Sequence, residues 1–389
     1  MTNDTKHTKQ TGFHPRTSKL TQDYAQYNGY WLANTYEDYG ASAEYRACRD
    51  AVIVTDLSAL EKLEITGPDA EVLLQWSLGR DIRRLAVGQI TYSTMCYDTG
   101  GILDEGTVQR LGADNFRWVG GNKFAGDWLR KQAEERGLRA WVQSSTQHLS
   151  NLAVQGPNSR KVLRNVIWTP PAQPTLDELG WFRLAIGRIE HADGVPIVVT
   201  RTGYTGELGY EIWCHPTHAP QVWDAVWQAG EPHGIAPLGL EALDILRIEA
   251  GLVAAGAEYD DQVDPYEAGI GFTVALPRKE DDFVGRDALM LRKDSQRQKL
   301  VGLEYGGETV AGNGDKVYVG GVQVGTITSS ARSPILRKNI ALCRIDMEHS
   351  ALNNEVDIAL GESGVQQPRS PATVIAYPFY DPKKLRVRS

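Results

Sequence analysis

The sequence predicts an α+β protein whose last third is a small β-barrel or compact sheet domain. Three observations predict it. A unit of strand, Gly-Pro turn and amphipathic helix occurs twice, as EKLEITGPDAEVLLQWSLGRDI from Glu61 and as LSNLAVQGPNSRKVLRNVI from Leu149. The segments between the copies read as hairpin strands, not as a parallel βαβ series. From about residue 286 the texture changes to short strands between Gly and Asn turns.

The elements follow in order. The polar opening MTNDTKHTKQTGFHPRTSK has no apolar signal core and reads as a surface arm. Tyr24, Tyr27, Tyr30 and Trp31 then recur at helix-like spacing. NTYEDYGASAEYRACRDA from Asn34 continues as a helix, and AVIVTDL from Ala51 is a strand. In the first repeated unit Asp69 opens the helix. QITYSTMCY from Gln89, GTVQRL from Gly106 and NFRWVG from Asn115 are strands, and KFAGDWLRKQAEERG from Lys123 is a helix. After the second unit, WFRLAIGRIE from Trp181 and VPIVVTR from Val195 form adjacent strands around the turn HADG. QVWDAVWQAG from Gln221 and LEALDILRIEAG from Leu240 are helices. The strands KLVGLEY, DKVYVGGVQVGTITSS, NIALCRID and ATVIAYPFY build the last domain. Two units of one design imply two related modules packed together.

Composition narrows the function. The 389 residues carry a formal net charge of -8, so a nucleic-acid partner is not expected. The short basic run KKLRVR from Lys383 reads as a solvated face. No apolar run reaches membrane length, and cytoplasm is the default location. Cys48, Cys96, Cys214 and Cys343 are far apart and read as free thiols, and no Cys/His cluster suggests a metal. Ten Trp and sixteen Tyr suit cores, with some left to line a pocket for a flat ring or a cation.

Two stretches can carry chemistry. In GGILDE from Gly100, a glycine pair precedes two carboxylates and can aim Asp104 into a cleft, where it would hydrogen-bond a ligand amine or move its proton. In TRTGYTGELGYE from Thr200, three glycines make a tight loop with neither GxGxxG nor GxxxxGK[ST]. A carboxylate there, Glu207, can accept two N–H bonds from an amino-pyrimidine edge while Tyr204 or Tyr210 covers a ring face. Glu267 is placed toward the same interior. Arg247 and Glu249 are candidates for a surface helix pair, although i,i+2 spacing does not put them on one face, and Glu258, Asp260, Asp261 and Asp264 read as a polar loop.

From about residue 40 to 345 the chain resembles the glycine cleavage T-protein (aminomethyltransferase) family. The resemblance rests on GGILDE, NLAVQGP, GYTGELGYEI, RIEAG, PYEAGIG, FVGRDAL, VGL and GTITSSARSPILRKNIAL, in that order. It implies a three-domain cloverleaf around a central tetrahydrofolate cavity. The expected modules are residues 1–60 with 149–285 for folate, 61–148, and a C-terminal 286–389. It implies that Asp104 sits near folate N5/N10, assisting by hydrogen bonding and charge, and that Glu207 holds the pterin. Leu243-Asp244 stands where glycine cleavage enzymes have Arg-Asp, a wording closer to the folate domains of sarcosine and dimethylglycine oxidising enzymes. Val119-Gly120-Gly121-Asn122 after Trp118 replaces Val-Ser-Asn-Ala, where pterin and substrate specificity are set. RTGYTGELG replaces the cysteine motif of the non-enzymatic relatives that serve iron–sulfur assembly.

These departures point to a demethylase branch, with a small sulfonium, methylamine, betaine or methoxy donor and no flavin or metal of its own. Formaldehyde or an iminium from an oxidising partner enzyme would serve equally. Tyr27, Tyr30, Trp31 and Trp118 are candidates for a cationic-donor cage. A lipoyl-carrier aminomethyltransferase and a non-enzymatic folate binder are the alternatives, as monomer or homodimer.

Overall fold

A computed structural model of the chain describes residues 8–276, 278–361 and 368–389. Its helices pack on three main sheets. The first has seven strands, ordered in space Ile167–Trp168, Leu184–Ile189, Pro196–Thr200, Gly209–Cys214, Ser150–Gln155, Val52–Asp56 and Ile235–Pro237. Only its last pair is parallel. The second has five antiparallel strands, ordered Ile90–Cys96, Ile102–Gly112, Asn115–Gly120, Glu61–Thr66 and Trp141–Ser144. The third is a closed six-stranded barrel drawn from residues 298–375, so the α+β class and the terminal barrel are present as expected.

The repeated unit is structural. Strand Glu61–Thr66 turns at Gly67 into helix Ala70–Ser77, and strand Ser150–Gln155 turns at Gly156 into helix Ser159–Leu163. Both glycines take positive φ, 112° and 121°. A Cβ on Gly156 would lie 2.6 Å from the Ala51 carbonyl oxygen, so the turn leaves no room for a side chain. Asp69 opens its helix without capping it, its carboxylate instead accepting from Arg139 N at 2.8 Å.

The first sheet buries both faces of its central strands. Val54, Leu152, Val154 and Ile212 of the first pack against Val222, Trp223 and Val226 of helix Ala219–Gly230. Leu63, Ile65, Val108 and Phe116 of the second pack against Leu73, Leu74 and Leu129. Helix Leu240–Glu249 joins the first sheet to the barrel: Leu243 and Leu246 meet Tyr45 and Ile53, while Ile248 meets Ala331 and Ile340.

Two readings of the N-terminal region are corrected. The opening is no loose arm from residue 8 onward, because Phe13 is fully buried against Trp223 and Arg16 pairs with Asp224 at 2.6 Å; residues 1–7 lie outside the described residues. The tyrosine run is a hairpin, Tyr24–Tyr27 against Tyr30–Ala33. Its two-residue loop is Asn28-Gly29, with φ of 48° and 80°, a strong hairpin signal that spaced tyrosines mask.

Candidate active site

The glycines around Glu207 make room for one side chain. Gln155, on the neighbouring strand, threads the loop: its amide nitrogen donates to the carbonyls of Thr202 and Tyr210, and its oxygen accepts from the Thr205 hydroxyl. A Cβ on Gly203 or Gly209 would fall closer than 3.0 Å to that amide. Gly206 supplies a left-handed φ of 79°. Glu207 is thereby set rigidly at the sheet end, its side chain 1% exposed.

Three donors meet its carboxylate. Arg49 donates to Oε1 at 3.0 Å, the Tyr380 hydroxyl to Oε1 at 2.8 Å, and Arg386 to Oε2 at 3.2 Å. Arg49 also grips Glu249 at 2.7 Å, which accepts from Tyr45 and from Ser333 of the barrel. Burial works against the Arg49 charge, but nearby negative groups, Glu249 and Glu207 among them, outweigh it and raise its pKa. Tyr380 lays its ring 3.9 Å from the Arg49 guanidinium. Arg247 joins Asp244, the fully buried Glu258 and Ser329. Arg247 and Glu249 are therefore interior groups on separate networks, not a surface pair, and Glu258 belongs to the interior, not to a solvated loop.

A cavity of about 560 Å³ opens above these networks, between the two open sheets and helix Leu240–Glu249. Small-molecule sites span roughly 300–1,000 Å³, with apolar walls and a few convergent polar groups. Here Tyr27, Tyr92, Trp181, Phe182, Tyr204 and Phe272 give the aromatic wall. Glu105, Glu207, Asp244 and Arg247 give charge. A more open hollow of about 670 Å³ adjoins it, sharing Gly121 and Ala255 as wall.

The second of the two adjacent acids, not the first, reaches this wall. Glu105 lines the cavity; Asp104 is 1% exposed and does not. Asp104 accepts from the Trp118 indole at 3.0 Å and from the backbone N–H groups of Gly121 and Asn122 at 3.1 and 3.2 Å. It lies behind Gly120, where a Cβ would strike both Asp104 and Trp118. Adjacent strand residues point to opposite faces, so only one of the two acids can face the cavity. Burial pushes the Glu105 pKa up to about 7, against the Tyr92 hydroxyl beside it. Burial likewise pushes Asp104 up to about 8, against the Trp118 hydrogen bond.

The other expected residues divide. Tyr27, Val119, Tyr204 and Glu207 line the cavity. Tyr204 is tethered, its hydroxyl donating to the Val253 carbonyl at 2.5 Å. Trp118 and Tyr210 do not reach the wall: both are fully buried in sheet cores, and the Tyr210 hydroxyl accepts from Arg160 at 2.9 Å. Tyr30 packs against Leu32 and Ala59, and Trp31 lies on the same hairpin away from the cavity, so the four-membered aromatic cage is reduced to Tyr27. Glu267 is not on the wall either. Sequence reading missed Tyr92, Trp181, Phe182 and Tyr380. Trp181 and Phe182 precede the strand expected to contain them and form an edge-on pair with centroids 4.9 Å apart. The KKLRVR run is solvated as expected at Lys383, Leu385 and Arg388, but it also meets the site: Lys384 and Val387 line the cavity and Arg386 reaches Glu207.

An acid-walled, ring-sized chamber on a barrel-bearing α+β scaffold has the form of a small-molecule site. Residues 13–278 match the GCVT N-terminal domain family, and residues 298–381 match the glycine cleavage T-protein C-terminal barrel domain. The chain belongs to the glycine cleavage T-protein family. It is 36% identical to an aminomethyltransferase of Symbiobacterium thermophilum over 343 residues, 87% of this chain and 88% of that protein. It is 55% identical to a trimethylamine-oxide aldolase of Ruegeria pomeroyi over 384 residues, 99% of this chain. The chain spans about half the length of that relative, 48%. The glycine cleavage system aminomethyltransferase T of Bartonella henselae superposes with a TM-score of 0.83, covering 96% of this chain and 99% of that one; at 24% identity this shows the fold alone.

Proposed function

We propose that this chain transfers a one-carbon unit from a small methylated donor to tetrahydrofolate, with an N-methyl compound as the leading donor class. The observation that carries the reading is that Glu105 and Glu207 both wall one cavity of about 560 Å³. The size and aromatic wall suit a pteridine, and Glu207 offers an acceptor for its N–H edge. The relative named for trimethylamine oxide favours a methylated amine as donor. An amine oxide is isomeric with a secondary amine plus formaldehyde, so its carbon arrives at the formaldehyde level without an external oxidant. The apolar Leu243 on the wall favours a small donor over a lipoyl-linked one.

Tetrahydrofolate, when bound, supplies the nucleophilic nitrogens that take the carbon. The chain would do the rest. Arg49 and Tyr380 hold Glu207 in place, and Tyr204 and Tyr27 bound the ring space. Glu105, with a pKa of about 7, is poised to give a proton to the departing amine or hydroxyl. Asp104 positions the Gly120–Asn122 turn, whose Gly120 and Gly121 line the cavity beside Glu105, through its bonds to Gly121 and Asn122.

Mass spectrometry of folate products tests this, with purified chain, tetrahydrofolate and a panel of formaldehyde, methylated amines, amine oxides and sulfonium compounds. The reading expects methylene- or methyltetrahydrofolate above the uncatalysed rate from at least one N-methyl donor or from formaldehyde. Turnover with aminomethylated lipoyl carrier alone would replace it with glycine cleavage activity.

A further inference from the structure

The Glu207 carboxylate already holds a guanidinium that is chemically similar to the ligand edge proposed for it. We propose that Arg386 is an internal stand-in for the pterin edge, displaced from Glu207 when a reduced folate binds. The inference rests on the folate reading above.

The three donors on Glu207 are not equivalent. Arg49 is fixed: its side chain is 3% exposed, it is tied to Glu249 and it is covered by Tyr380. Tyr380 is partly enclosed, with burial first and the Glu207 charge next raising its pKa. Arg386 differs. It is 45% exposed and makes one bond of 3.2 Å. It sits on the single-turn helix Leu385–Arg388, none of whose residues is buried. Glu207 Oε1 already accepts from Arg49 and Tyr380, so a bidentate donor can be added only by freeing Oε2.

The 2-amino-4-oxopyrimidine edge of a pterin is an acylguanidine. It presents a ring N–H and an exocyclic amine N–H side by side, the same donor fork that arginine presents to a carboxylate. One acceptor oxygen can serve either fork. Around that contact, Tyr380, Asp381, Lys384 and Val387 form one side of the cavity, and Arg388 lies over Trp181 at 4.8 Å. A ligand edge seated on Oε2 would therefore release the Arg386 side chain, while Asp381, Arg160 and Arg201 keep hold of the backbone around it. By linkage, releasing that side chain must favour the ligand.

The test uses 5-formyltetrahydrofolate, an air-stable reduced folate, with the whole chain. Calorimetric titration compares wild type with Arg386→Gln. An exposed ion pair contributes modestly, so the variant is expected to bind roughly two- to fivefold tighter. A second measurement needs no variant: saturating folate should speed tryptic cleavage after Arg386, whose side chain it frees, read by intact mass. Equal or weaker binding by the variant, or tryptic rates unmoved by folate, would overturn the displacement. If wild type took up no folate at all, the parent reading would fall with it; if wild type bound and Arg386→Gln matched it, only this inference would fall.

Discussion

Replacing Glu105 by Gln removes one proton site and little else. The carboxamide keeps the shape of the side chain and its place on the cavity wall beside Tyr92, Gly106 and Thr107. Burial raises the Glu105 pKa to about 7, so near neutrality about half of the population carries the proton that a general acid needs. Loss of a positioned general acid costs about 10²- to 10⁴-fold in rate. The variant should fall by that factor in kcat while its affinity for folate changes far less. In the wild type, activity should fall as pH rises through about 7, and the variant should lose that limb. Stability follows the same sign. The folded pKa lies above the ordinary carboxylate value of 4.5, so this contribution is fully present below 4.5 and is lost as pH rises through about 7. Thermal melts from pH 4 to 8 should therefore fall more steeply for wild type than for Glu105→Gln. Stopped-assay rates of folate product, measured from pH 5.5 to 9, decide the matter. A Glu105→Gln rate within threefold of wild type, with Asp104→Asn inactive but folded, would move the proton chemistry to Asp104 and refute the reasoning.

Other consequences follow from the same geometry. Arg49→Met leaves buried Glu249 with only the hydroxyls of Tyr45 and Ser333 and leaves Glu207 with Tyr380 and the half-exposed Arg386, and should cost about 3 kcal/mol in urea unfolding; a loss under about 1 kcal/mol would contradict the hub assigned to Arg49. Gly120→Ala places a methyl closer than 3.0 Å to Asp104 and Trp118 and should destabilise by about 1–3 kcal/mol. Gly121→Ala meets only the Tyr27 hydroxyl at 3.5 Å and Asp104 at 3.9 Å, and should stay within about 0.5 kcal/mol of wild type; equal effects at the two glycines would argue against the packing described.

Much of the fold was legible because periodicity and turn chemistry are local. The paired strand–Gly-Pro–helix units and the alternating strands of the barrel follow from residues within ten positions of each other. The hairpin at Tyr24–Ala33 was legible too, but in Asn28-Gly29, not in the tyrosines. Glu207 could be found because glycines crowd around it, although their partner, Gln155, sits some fifty residues earlier. The choice between Asp104 and Glu105 was not legible. Neighbouring strand residues face opposite ways, and which face of the second sheet meets the cavity depends on how the sheets pack, not on either residue. Trp118 and Tyr210 show the same limit: aromatic character suits a ring pocket and a core alike, and only the sheet face decides. Arg386 lies nearly 180 positions from Glu207 in a run with no apolar pattern, so its contact arises only from the closure of the chain around the cavity.

Equilibrium binding of a reduced folate to wild type and Glu207→Gln tests the central claim most directly. The account predicts binding by wild type and a loss of about 10- to 100-fold in the variant, the worth of hydrogen bonds to a charged acceptor. Equal affinity in the two proteins would contradict it, because the carboxylate at the end of the glycine-rich loop would then have no part in holding the ligand.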